Sequence, residues 1–98
     1  MPSVSHLNSV VLGSFGDPVH VNGKEKPSLT WAQYHVVKAL IEAGNDGLTK
    51  DQLDVKSGRF EARKILRRLA NSDPDWAAVI KMAGRPGCHY RIPNGKVT

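Results

Sequence analysis

Five cations crowd one short stretch of this chain: Arg59, Arg63 and Arg67 stand at four-residue steps, with Lys64 and Arg68 directly after the second and third. In an α-helix each residue advances about 100°, so four-residue steps stack side chains along one side. Like charges stacked this way repel, at a cost of roughly a few tenths of a kcal/mol per pair in an isolated helix. A stripe that opposes its own helix points to an anionic partner that relieves it. The guanidinium fork matches the two major-groove acceptors of guanine and also matches phosphate oxygens. Lysines add point charges suited to phosphates.

These side chains need a helix, and the local pattern predicts one over 59–70. With Ala62 at the origin of a helical wheel, Ile65, Leu66 and Leu69 fall within about 60° and form a buried edge. Phe60 falls opposite that edge, so either the helix starts after it and Phe60 folds into the core, or it is exposed. Upstream, Thr49 is an N-cap for a short helix with Asp51 in its first turn, ended by Ser57-Gly58. A capped short helix, a tight turn and a cationic helix follow the order of a helix-turn-helix, whose second helix enters the major groove.

Downstream, Ala77 to Ala83 reads as a strand, Gly84-Arg85-Pro86-Gly87 as a turn and Cys88 to Ile92 as the returning strand. This hairpin carries Lys81, Arg85, His89 and Arg91. Arg85 at its tip is placed to reach a minor groove or a phosphate. The candidate interface is therefore Ser57, Arg59, Arg63, Lys64, Arg67, Arg68, Arg85 and His89.

Near the N-terminus, the valine-rich runs 9–13 and 18–22 read as a hairpin, and Asn22-Gly23 as a further turn. Lys24 to Pro27 then leads into the first helix. Thr30 and Gln33 form a capping-box pair for that helix, over about 31–43, with Trp31, Tyr34, Val37, Leu40 and Ile41 as its apolar stripe. Trp31 and Tyr34 are read as packing residues rather than a base-stacking platform. Residues 1–8 and 94–98 are expected to be flexible tails around one domain, 9–93.

Composition supports a basic partner-binding half. Residues 1–55 carry four lysines against six acids, net −2, and residues 56–98 carry ten Lys or Arg against three acids, net +7. Such asymmetry is the footprint of contact with nucleic acid or another anionic surface. The single cysteine, Cys88, cannot close an internal disulfide, and no apolar run approaches a membrane span, so a cytoplasmic location is expected. Catalytic patterns are weak. His6, His20, His35 and His89 are scattered, Cys88 and His89 would project to opposite faces of a strand, and phosphate-loop and dinucleotide motifs are lacking. An enzyme is not expected, nor is a metal or cofactor.

From about Val10 to Ile92 the chain resembles the winged-helix output domain that ends bacterial two-component response regulators. The resemblance rests on Leu29-Thr30-Trp31-Ala32-Gln33 at the first helix, Ile65-Leu66-Arg67-Arg68-Leu69 in the recognition helix and Tyr90-Arg91 at the wing. His89 stands where that family has glycine, Gln33 replaces its acid, and the loop between the second and third helices is cut to about Ser57-Gly58. The resemblance implies an α+β winged helix-turn-helix: three helices, a C-terminal β-hairpin wing and a short N-terminal antiparallel sheet. It implies sequence-dependent binding of double-stranded DNA, as a small transcriptional regulator or DNA accessory protein, with a homodimer as one option. The alternative is a winged-helix module that binds an acidic protein partner.

Overall fold

The computed structural model describes residues 10–58, 61–82, 89–92 and 95–97. Strands Val10–Leu12 (β1) and Val19–Val21 (β2) pair antiparallel, with Val10 opposite Val21. Alternation sets their faces: Val10, Leu12, Val19 and Val21 are buried, while His20 is exposed. Asn22 and Gly23 then turn the chain with positive φ, 53° and 81°, as a two-residue type I′ hairpin demands. Lys24–Lys26 (β3) runs back along β2. The segment read as a lead-in to the first helix is thus an edge strand, and its charges suit an edge that must not recruit another chain.

Lys96–Val97 (β4) lies parallel beside β1, with Val11 opposite Lys96. The sheet is therefore mixed, in the order β3-β2-β1-β4, and not purely antiparallel as expected. Positions 96 and 97 are part of it rather than of a loose tail. Gly95 makes the approach possible, because a Cβ there would lie 2.7 Å from the Ile41 side chain.

Four α-helices complete an α+β fold among the described residues. Trp31–Ala43 (α1) opens with the expected capping box: Gln33 N donates to Thr30 Oγ1 at 3.2 Å and Thr30 N to Gln33 Oε1 at 3.1 Å. Lys50–Ser57 (α2) repeats the device with Thr49 and Gln52. Ala62–Ser72 (α3) is the cationic helix. Pro74–Val79 (α4) is a helix where a strand was expected. The local reason is at its start: Asp73 accepts the Asp75 N–H at 2.9 Å, proline takes the first turn and Asp75 adds negative charge there. The core joins β1 and β2 to Val36, Val37 and Leu40 of α1, Leu53 of α2, Leu66 and Leu69 of α3, and Trp76 and Val79 of α4.

Trp31 departs from its expected packing role. It is 52% exposed, with Phe15 edge-on at 4.7 Å and His35 at 4.2 Å. Tyr34 is buried as expected, and its hydroxyl donates to the Gly13 carbonyl at 2.9 Å.

A second, smaller β arrangement lies beyond the sheet. Leu48 exchanges both backbone hydrogen bonds with Tyr90, at 2.9 and 2.8 Å, and Lys81 exchanges both with Arg91, at 2.8 and 3.0 Å. Tyr90-Arg91 thus runs between Leu48 and Lys81. Tyr90 and Ile92 face inward, while His89 and Arg91 face out. Gly47 lets this strand come close, its φ of 71° and ψ of −167° lying in a region that is essentially glycine's alone.

One ion cluster ties the sheet to α4. Lys26 Nζ lies 2.6 Å from Asp75 and 3.0 Å from Asp73, and Lys24 adds a contact to Asp75 at 3.4 Å. Hydrogen bonds to Asp75 and then Asp73 raise the Lys26 pKa above its ordinary value. The Lys26 ammonium holds both carboxyls below theirs, helped at Asp73 by the Asp75 N–H. The depressed carboxyls contribute stability that is complete above their unfolded value of about 3.9 and lost as pH falls through the folded values. For Lys26 the sense reverses: its share is complete below about 10.4 and lost as pH climbs through the raised value. Thermal melts should hold a plateau between these limits and decline below about pH 4. In Lys26→Met the acid decline should be shallower than in the parent; equal slopes would show that the cluster does not couple to folding.

Candidate nucleic-acid interface

The turn between α2 and α3 sets the aim of the cationic helix. Gly58 ends α2 in the left-handed region, φ 67°, and its N–H returns to the Asp54 and Val55 carbonyls. Glu61 takes a second left-handed conformation, φ 55° and ψ 45°, just before α3 begins. Glu61 gives α3 no side-chain cap. Instead Asp54, seven residues earlier, accepts the Ala62 N–H at 2.8 Å. One carboxylate on α2 therefore satisfies a backbone donor at the first turn of α3 and ties the two helices together.

These turns correct the start of the helix. It runs from Ala62 to Ser72 rather than over 59–70. Arg59, Phe60, the expected turn 84–87 with Arg85, and Cys88 at the start of the expected returning strand lie outside the described residues.

Within α3 the expected division of faces is present. Ala62, Leu66 and Leu69 are buried and Ile65 is partly buried against them. Arg63 is half-buried, and Lys64, Arg67 and Arg68 are exposed. At about 100° per residue these four cations cover an arc of roughly 140° opposite the core. Lys64 pairs with Glu61 at 3.0 Å. Among the described residues no carboxylate pairs with Arg63, Arg67 or Arg68.

Ser57 and His89 are placed differently from expectation. Ser57 is buried, 7% exposed, with its hydroxyl 3.4 Å from the Asp54 carbonyl, so it helps close α2 rather than presenting itself to a partner. His89 is exposed, and its Nδ1 lies 2.6 Å from the Asp46 carbonyl. A carbonyl only accepts, so the ring proton of that bond sits on Nδ1 and only the Nε2 edge stays open. His89 thus fastens the returning strand to the turn after α1.

The structure adds a cation pair that the candidate set omits. Lys81 and Arg91 oppose each other across a hydrogen-bonded bridge, and both are exposed. Directly opposed like charges destabilise a strand pair. Among the described residues Lys81 Nζ reaches only the Ala78 carbonyl, at 3.4 Å. The sequence signal was register: once Tyr90 faces inward, Arg91 and its partner must face outward together.

Protein families, curated proteins and solved structures were compared with the chain. None matches. The reading of this surface therefore rests on its own geometry. Among the described residues there is no cluster of three or more His, Cys, Asp or Glu able to hold a metal ion, and no helix long and apolar enough to cross a membrane.

Proposed function

We propose that this chain is a winged helix-turn-helix module that binds double-stranded DNA, with α3 in the major groove. The observation that carries the reading is the solvent face of α3. Arg63, Arg67 and Arg68 stand there without a carboxylate partner among the described residues, on a helix that their mutual repulsion weakens. Phosphates and guanine edges relieve that repulsion, and the bidentate arginine fork suits both.

The surrounding elements agree with a wing. Tyr90-Arg91 sits between Leu48 and Lys81, the arrangement that the two arms of a wing beside the segment after α1 would give. The helix α4 is then an extra turn between the recognition helix and the first arm. Lys81 and Arg91 supply a second phosphate-binding pair, and Arg85 is the proposed contact at the tip. A small transcriptional regulator or DNA accessory protein is the corresponding role.

The test is a titration of a random-sequence duplex at low salt, followed by amide shifts. Shifts gathered on 61–68 and at 81 and 91 are expected. An unperturbed spectrum with the fold intact would remove DNA as the partner and leave an acidic protein as the ligand for the same cations.

A further inference from the structure

The geometry points to Glu61 as a specificity-determining residue that reads a base amine beside the arginines of α3. This rests on the DNA-binding reading above. The chain between Ala62 and Ser72 contains no acid, and among the described residues Glu61 is the one carboxylate paired with a cation of that helix. Its side chain is 43% exposed and reaches Lys64 at 3.0 Å, which sets it at the N-terminal turn, the part of a recognition helix that meets base edges.

A carboxylate on this surface is a liability against phosphates, which repel it. It gains only where the nucleic acid presents a donor. On the floor of the major groove the donors are the exocyclic amines, N4 of cytosine and N6 of adenine, whereas guanine offers acceptors. An ionised carboxylate only accepts hydrogen bonds, so it suits the cytosine amine and rejects the guanine edge. Glu61 thereby complements the arginines, which take guanine.

Two further observations fit a recognition role better than a structural one. The side chain caps nothing, because Asp54 already serves the first turn of α3. Its backbone is held in the left-handed region, φ 55°, uncommon for a residue other than glycine, asparagine or aspartate. The ion pair with Lys64 then holds the carboxylate in place until duplex binding transfers Lys64 to a phosphate.

The test is selection of duplexes from a randomised library by the full chain and by Glu61→Gln and Glu61→Ala. The parent should favour cytosine at one position by roughly 5- to 150-fold, the range of a single good base contact. Glu61→Gln should move that position toward adenine, whose N6 and N7 match an amide. Glu61→Ala should flatten it and leave other positions unchanged. Identical profiles from all three proteins would overturn the assignment while DNA binding stands; failure of the parent to retain any duplex would overturn both. Helical circular dichroism on each variant confirms folding, and the glutamine variant keeps side-chain size where alanine does not.

Discussion

Replacing Arg63 and Arg67 together by alanine should weaken duplex binding about 100-fold or more while leaving the fold melting cooperatively. The two side chains stand one helical turn apart on the solvent side of α3, and neither pairs with a carboxylate among the described residues. Each lost arginine contact costs roughly 1–3 kcal/mol, and about 1.4 kcal/mol is tenfold in affinity. Their removal also relieves like-charge repulsion within the helix, so stability should be held or slightly raised. Arg63 is half-buried and its stem can pack, which makes Arg67→Ala the cleaner single control. With about five phosphate contacts, the parent salt slope is expected near −4 to −5, and the double variant should lose about two units of it. A variant that binds as tightly as the parent, with an unchanged slope, would mean that α3 is not the contact surface.

Gly47→Ala should be the most damaging conservative change in the described fold, lowering stability by about 2–4 kcal/mol. One part of the cost is conformational, since φ 71° with ψ −167° excludes side chains. The other is steric. An added Cβ would overlap the Tyr90 carbonyl oxygen and lie 2.9 Å from the Arg91 Cβ and 3.2 Å from the His89 Cβ. Relief requires the strand to withdraw, which breaks the paired bonds between Leu48 and Tyr90. Gly44 provides an internal control. Its backbone is nearly the same, φ 71° and ψ −155°, yet nothing lies within 4 Å of an added Cβ. Urea melts of Gly44→Ala and Gly47→Ala should therefore differ by the steric part alone. Equal losses would refute the close approach of the strand to this turn.

Much of the helical half is legible in the sequence because its signals are local. Thr30 with Gln33 announces the start of α1, and the spacing of Ala62, Ile65, Leu66 and Leu69 separates the buried and cationic sides of α3. The misreadings have physical causes. Ala77-Ala78-Val79-Ile80 is too short an apolar run to tell strand from helix by periodicity, and Asp73-Pro74 decided it as a cap. β3 escapes because an edge strand of Lys-Glu-Lys carries no apolar alternation. Trp31 sits on the apolar stripe, yet it begins the helix and meets Phe15 at the surface. At the site, the arginine spacing is readable, whereas the cap from Asp54 to Ala62 arises only once the turn between α2 and α3 has folded.

The parallel contact of β4 with β1 has a consequence for how the chain acquires its shape. Val11 and Lys96 are 85 positions apart, so closing that contact carries one of the larger loop entropies available to the chain. The hairpins of β1, β2 and β3 and the capped helices need only short-range encounters and can form sooner. During synthesis the flank of β1 therefore stays bare until Lys96 and Val97 have emerged. In that interval its unpaired backbone is a template for pairing with a neighbour.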